Sequence, residues 1–255
     1  MLAIVVTKNG TNSRCYMTVR QSVQSMTESA INAHFTMRIR KEVTSMTNEH
    51  PKFSVIIPAH NSEAFIRNAL NSIVSQSVRD YQLIVVCDSC DDLTEAVARR
   101  YTPYVYSVNF HNDGLTRNYG LERATGTWVL FMDDDDWWMH GYVLRMLSDE
   151  LNSLSYVPDI VAFGFIFRHI GYAPPVRKSG ALWANVWHKM WRRDFIGDRL
   201  RFKNIPMESD LHFCRDALKL DPRIATLNHA LYYYNYMRKG SQTELASREE
   251  DAVDG

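Results

Sequence analysis

Five apolar residues, Trp128 to Met132, run straight into four consecutive carboxylates, Asp133 to Asp136, and then into Trp137 and Trp138. The apolar run has the length and continuity of a strand buried on both faces. Four like charges in a row repel one another, so they cannot follow a buried strand unless a cation, a phosphate-bound metal or open solvent compensates them. The strand therefore has to end at a surface or a cleft. In open α/β sheets ligands bind outside the carboxyl ends of the strands, where an acidic cluster is well placed to hold a divalent metal. Taken alone, the run also fits a solvated acidic loop that caps the next helix.

The residues upstream repeat one pattern. Phe53 to Ile57 reads as a buried strand stopped by Pro58. Ser62 is placed to cap a helix whose apolar positions Phe65, Ile66, Ala69, Leu70, Ile73 and Val74 share one face. Leu83 to Val86 makes a second strand that ends at Cys87 and Asp88, and Asp92 with Glu95 has the spacing of a capping box opening another helix. Tyr104 to Val108 is a third strand, after which Asn112 to Leu115 leads into a helix over Thr116 to Ala124, closed by Gly126. Alternating strands and helices predict an α/β fold with a mostly parallel central sheet flanked by helices. Three strands then end at Pro58, Asp88 and Asp133 on one edge of the sheet, where their loops can share a ligand. Neither a Gly-x-Gly-x-x-Gly element nor a P-loop follows the first strand, so a dinucleotide or P-loop site has no support.

With 255 residues, 45% of them hydrophobic, the chain can bury a substantial core as one or at most two domains. Basic and acidic residues balance at 29 each, so no overall field recruits nucleic acid. No apolar run approaches the roughly 18 residues that cross a bilayer. Met1 to Val6 is apolar but short and lacks a basic leader, so a cytoplasmic protein is expected, with no transmembrane segment. Cys15, Cys87, Cys90 and Cys214 do not suggest a disulfide framework. Cys87 and Cys90 have redox or zinc spacing, yet no second pair completes a zinc site. The first 50 residues are rich in Ser, Thr, Asn and Met without a sustained helical or strand period, and are expected to form a poorly ordered N-terminal extension.

Five fragments carry a resemblance: Phe53-Ser-Val-Ile-Ile-Pro-Ala-His-Asn61, Ser72-Ile-Val-Ser-Gln76, Leu83-Ile-Val-Val-Cys-Asp88, Arg117-Asn-Tyr-Gly-Leu121 and Ala124 through the acidic cluster to Trp137. In order and spacing they resemble a family 2 glycosyltransferase of the GT-A fold. Trp187 to Phe195, Arg201-Phe202, Ser209 to Leu211 and Tyr232 to Ser241 look like the acceptor half of bacterial polysaccharide and glycolipid transferases. The resemblance implies a domain over residues 51–243, divided into a sugar-nucleotide half, 51–138, of Rossmann-like build and an acceptor half, 139–243, with an acidic tail at 244–255.

Residue by residue, the resemblance implies that Pro58, Ala59 and Asn61 line the nucleotide pocket, with Glu63 nearby. Asp88 matches the carboxylate that faces the pyrimidine ring, and Arg117 the basic residue beside the nucleotide. Asp133 and Asp135 match the Asp-x-Asp element that holds ribose and a Mn²⁺ or Mg²⁺ ion on the diphosphate. Asp134 stands where a small residue is common, which leaves the metal-bound carboxylate open. His60 replaces a frequent Tyr, and Cys87, Ser89 and Cys90 replace acidic and Gly-Ser-Thr residues of the second loop. The resemblance also implies an acidic general base, for which Asp210 is the first choice and Glu208 the second. By spacing alone, Glu208 and Asp210 would only cap the helix that carries Leu211, Phe213, Cys214, Leu218 and Leu220.

The implied reaction moves a sugar, with inversion, from a nucleotide-sugar donor, UDP-linked by preference, to a saccharide or glycolipid acceptor. A lipid-linked acceptor would bring peripheral contact with the inner face of the membrane. Two other functions remain in view: a nucleotidyltransferase of similar fold, which should show a Gly-rich basic phosphate loop where Pro58-Ala-His-Asn61 stands, and a sugar-nucleotide-binding module without activity. Trp183, Trp187 and Trp191 recur at helical spacing, and Tyr232, Tyr234 and Tyr236 alternate as on one strand face; packing is the expected role of both sets. Arg238 and Lys239 offer either a diphosphate clamp or a solvated basic loop.

Overall fold

The computed structural model describes the backbone of residues 3–8 and 11–16, and residues 50–177 and 184–236. The chain divides into two units, Met1–Glu49 and His50–Gly255. In the first, β1 (Ala3–Lys8) and β2 (Thr11–Tyr16) pair antiparallel, with Lys8 opposite Thr11. Hydrophobic period alone does not reveal these strands. The signal is the intervening Asn9-Gly10, a pair that favours tight hairpin turns. Most of the expected N-terminal extension and the acidic tail lie outside the described residues, as do Trp183, Arg238 and Lys239.

The second unit is built on one large sheet. Its strands are β3 (Phe53–Ala59), β4 (Tyr81–Asp88), β5 (Val105–Val108), β6 (Trp128–Phe131), β7 (Trp137–Trp138), β8 (Ile160–Phe167), β9 (Gly171–Ala173), β10 (Lys189–Arg192) and β11 (Ile224–Tyr234). They lie in the order β5-β4-β3-β6-β10-β8-β11-β7, with β9 paired to β8. The block β5-β4-β3-β6 is parallel throughout, as the strand-helix alternation predicts. β10 is inserted antiparallel between β6 and β8, and β11 returns parallel to β8.

β3 is buried at every position, which is what a central parallel strand covered by helices on both faces requires. Its alternate residues feed two cores. Val55 and Ile57 join one with α1 (Ile66–Val74), α2 (Thr94–Ala98) and α4 (Val143–Ser153), whereas Ile56 joins the other with α3 (Asp113–Arg123), α5 (Arg193–Ile196) and α6 (Ser209–Leu218). Gly120 lets α3 close on the sheet: a Cβ there would lie 2.5 Å from Ile56 Cγ2.

Local expectations were met unevenly. β3 does not stop at Pro58 but continues to Ala59. Ile56 O accepts from Met132 N at 3.0 Å, and Pro58, two residues on, faces the same side beyond the last β3–β6 rung, Ile56 with Phe131. Its missing N–H therefore costs no ladder bond. α3 begins three residues before Thr116 because the Asn112 side chain accepts from Leu115 N at 2.9 Å and caps it. The Asp92–Glu95 capping box does not form: Asp92 accepts from Thr94 N, but Glu95 turns to Arg99 and Ser107. α1 begins at Ile66, with no side-chain cap from Ser62. Trp187 and Trp191 are not on a helix. Trp187 lies in the turn before β10, stacked on Tyr232 at 4.6 Å, and Trp191 lies within β10 against Phe213 on the opposite core. Tyr232 and Tyr234 do share β11.

Candidate active site

The loops after β3 and β4 are bonded to each other at the carboxyl edge of the sheet. Ser62 N donates to Thr94 Oγ1 at 2.7 Å, and Asp91 N to Asn61 Oδ1 at 3.0 Å. Glu63 and Asp92 brace the pair reciprocally: Glu63 N donates to Asp92 Oδ2, and Leu93 N donates to Glu63 Oε2. Asn61 takes φ 44, a left-handed conformation that Asn tolerates. Of the expected pocket residues, Pro58 and Ala59 form the buried end of β3, Asn61 is exposed, and Glu63 serves the loop contact.

Asp88 is buried at the end of β4, and both its oxygens are engaged by the chain. Oδ1 accepts from Phe110 N, His111 N and Ser89 Oγ; Oδ2 accepts from Asn112 N and Thr116 Oγ1. Burial opposes its charge, but the bonds from Asn112, Thr116, His111 and Phe110 outweigh it and hold the carboxyl below its ordinary range. Asp88 thus fixes the loop that enters α3, and α3 carries Arg117.

Arg117 is the cationic centre of the site. Its buried guanidinium binds Asp113 one turn earlier, reaches Asp133 Oδ1 at 2.6 Å and lies 3.6 Å from Asp210 Oδ1. One cation is shared by three carboxylates, which leaves a net negative centre. Burial, together with Asp210, Asp113 and Asp135, pushes the Asp133 carboxyl up to about 7 despite the opposing pull of Arg117.

The four consecutive carboxylates divide their duties. Asp134 Oδ2 accepts from His60 N at 3.1 Å, which ties the β6 loop to the β3 loop. Asp136 is fully buried: it accepts from Tyr232 Oη at 2.7 Å and Asn235 N at 2.8 Å. Burial, then Asp133 and Asp135, push its carboxyl well above the usual range. Tyr232 Oη in turn accepts from Asp133 N at 3.1 Å, so one hydroxyl clamps both ends of the cluster to β11. The solvated-loop reading therefore fails for Asp136.

Asp210 sits in the first turn of α6, brought opposite the β6 cluster by the close packing of residues 202–209 on α3. A Cβ on Gly114 would lie 2.6 Å from Lys203 O. Asp210 Oδ2 accepts from Val186 N at 3.1 Å, while the buried Oδ1 has no hydrogen-bond partner. Burial raises the Asp210 carboxyl, against the pull of Arg117. It does not cap its helix. Glu208 precedes α6 at φ 63 and also makes no side-chain cap, and no contact joins it to Arg117 or the cluster. Asp210, not Glu208, faces the site.

Three residues belong with this arrangement beyond those expected from sequence. Asp113 was legible as the acidic partner of Arg117 at helical i, i+4 spacing. Tyr232 gave no such sign, because its partner Asp136 is remote in the chain. Lys189, fully enclosed, donates to Asn185 O at 2.5 Å and lies 2.8 Å from His188 Nε2; burial lowers its ammonium to about 8. His188 places Nδ1 3.1 Å from Phe163 O, a core histidine with its ring nitrogen satisfied.

Asp133 and Asp135 offer oxygen ligands for a hard divalent ion, and among the described residues no group of three or more His, Cys, Asp or Glu forms a metal cage. Such a donor set suits an ion bound through one or two carboxylates and completed by substrate phosphates.

A mostly parallel sheet with its acidic strand end facing a helix-borne carboxylate defines a GT-A-type α/β protein. Residues 54–215 match Glycosyl transferase family 2, and the chain belongs to that family. Glycosyltransferase GlyA of Streptococcus pneumoniae serotype 4 is 25% identical over 225 residues, 76% of this chain and 32% of its own length. The crystal structure of Staphylococcus aureus TarS 1-349 in complex with UDP-GlcNAc superposes with a TM-score of 0.66 at 25% identity, over 76% of this chain and 60% of that one. A mannosyltransferase of Pyrobaculum calidifontis, in complex with GDP-Man and Mn²⁺, shares the fold with a TM-score of 0.62 at 17% identity, over 89% and 73% of the two chains. The chain spans less than two thirds of the length of GlyA and of TarS. Among the described residues no helix is long and apolar enough to cross a membrane.

Proposed function

We propose that this glycosyltransferase moves a sugar, with inversion at the anomeric carbon, from a UDP-sugar to a saccharide or lipid-linked acceptor hydroxyl. The observation that carries this reading is the meeting of Asp210 with Arg117 and Asp133, which sets a proton acceptor from the second half of the chain opposite the acidic end of β6. UDP is favoured by the resemblance, which assigns Asp88 to the pyrimidine side of the pocket, and by TarS, the relative above, which is seen with UDP-GlcNAc. On this reading the reaction takes place in the cytoplasm, at the inner membrane face when the acceptor is lipid-linked.

In the proposed reaction the partly exposed Asp210 carboxylate takes the proton from the acceptor hydroxyl as the hydroxyl oxygen bonds to the anomeric carbon. The bond from that carbon to the diphosphate oxygen breaks, and its electron pair leaves with the nucleoside diphosphate. The raised Asp210 carboxyl suits a group that must accept a proton near neutrality. Arg117 orients Asp133 and Asp210 towards one another and offsets part of their charge. A Mn²⁺ or Mg²⁺ ion held by Asp135, with Asp133, would neutralise charge on the departing diphosphate.

A nucleotidyltransferase is disfavoured by the β3 loop, which has Pro58-Ala-His-Asn61 in place of a Gly-rich basic phosphate loop. Asp210→Asn separates turnover from binding. UDP-sugar affinity should stay near normal while turnover falls by about 10²-fold or more. NMR of the wild-type product should show inverted configuration. Normal turnover in the variant removes Asp210 from the chemistry, and a retained configuration removes direct displacement.

A further inference from the structure

Two cysteines flank Asp88, the carboxylate that anchors the loop entering α3. Cys87 lies in β4 immediately before Asp88, and Cys90 follows Ser89 in the loop. Ser89 takes φ 55, and its N–H donates to Val108 O of β5 at 2.9 Å, one residue past the Asp88–Val108 pair of the ladder. Cys87 stands opposite Ala59 in the β3–β4 ladder, Cys90 Sγ lies 3.4 Å from Ala59 O, and both side chains pack on the same core, so the two thiols are neighbours. Both are free; Cys87 is buried and Cys90 half-buried. The neighbouring Cys87 lowers the Cys90 thiol, while the same contact and burial raise Cys87. Cys90 is thus both the thiol that ionises first and the one a small molecule can reach. Nothing in the sugar-transfer reaction above uses either sulfur.

We propose that Cys87 and Cys90 form a reversible intramolecular disulfide, a modification site whose oxidation opens the stitched loops after β3 and β4 and weakens donor binding. The last part rests on the donor-site reading above. The oxidant is a low-molecular-weight disulfide. The Cys90 thiolate attacks one of its sulfurs and displaces the first thiolate, which takes a proton from solvent; the Cys87 sulfur then attacks the Cys90 sulfur, and its proton passes to the second thiolate as that leaves. The two cysteines are oxidised by two electrons, and the small disulfide is reduced to two thiols.

A covalent S–S bond is shorter than any non-bonded contact between two sulfurs, so Cys90 is drawn towards β4 and off the Ala59 carbonyl. The next two residues are the ones that hold the β3 loop, Asp91 through Asn61 and Asp92 through Glu63. Moving Cys90 therefore pulls on both stitches at once.

The test uses the full chain treated with oxidised glutathione and then with dithiothreitol. Peptide mapping by mass spectrometry should find a Cys87–Cys90 linkage with loss of two hydrogen atoms, and hydrogen exchange should quicken at residues 59–63 and 91–94. UDP affinity measured with Mn²⁺ should weaken by about tenfold and recover on reduction. Cys90→Ser should show none of these responses, which separates the pair from Cys15 and Cys214. Absence of the linkage, or a linkage that leaves exchange and affinity unchanged, overturns the proposal. If the reduced protein binds no UDP, the donor reading fails on its own account, and mapping with exchange still decides the disulfide.

Discussion

Asp88→Asn tests whether one carboxylate holds the loop that enters α3. The acid accepts five hydrogen bonds, three of them from the consecutive backbone N–H groups of residues 110 to 112. An amide keeps one acceptor oxygen and turns the other position into a donor. If the amide nitrogen replaces Oδ2 it faces the Asn112 N–H; if it replaces Oδ1 it faces those of Phe110 and His111. The Ser89 and Thr116 hydroxyls can rotate to accept, but a backbone N–H cannot. At least one charge-assisted bond is lost and one part-buried donor is stranded, which together cost about 3 kcal/mol. Urea unfolding at pH 7 measures this directly. Because the folded Asp88 carboxyl lies below its unfolded value of about 3.9, its contribution is present above that pH and is lost as pH falls through the folded value. The gap between wild type and variant should therefore close on acidification below about pH 4. A gap under about 0.5 kcal/mol at pH 7, within the ordinary range for surface substitutions, would refute the anchoring role. So would a gap that widens in acid.

Asp135→Asn should abolish the Mn²⁺ dependence of UDP binding in calorimetry without lowering the thermal midpoint, since it relieves repulsion with Asp133 and Asp136. Tyr232→Phe strands Asp136 Oδ2 and the Asp133 N–H and should cost about 2 kcal/mol in urea unfolding; an unchanged midpoint would show that the clamp is dispensable. Gly120→Ala should destabilise by about 1–3 kcal/mol through overlap with Ile56 Cγ2, more than the gain of about 1 kcal/mol in helix propensity; a more stable variant would contradict the close packing of α3 on β3.

The first half of the domain was legible because its strands are continuous apolar runs and each helix follows within a short loop, so local pattern and topology agree. The second half was harder to read. Trp187 and Trp191 are four apart, a spacing that fits one helix face, but they serve opposite cores around β10, a short strand held only by β6 and β8. No local period reports that pairing. Arg117, Asp133 and Asp210 were identified from family motifs, and their convergence follows from the fold. The burial of Asp136 could not be read, since a run of four identical carboxylates gives no sign of which one meets Tyr232. Asp88 was placed correctly at its strand end, but its bonds to the 110–112 amides depend on a loop conformation that composition does not encode.

Pro58 gives the site a boundary that no other residue type would supply. β3 stands between the strands that precede the reversal of sheet order and the one that follows it, and the crevice opens where β3 and β6 part company after Ile56 and Phe131. Any residue with an N–H at position 58 would offer β6 another rung, and each added rung would carry the acidic run further into the sheet. The imide nitrogen removes that option. The same substitution of nitrogen chemistry that weakens an ordinary strand here fixes how far two neighbours can zip together, and with it where the acidic end of β6 emerges from the sheet.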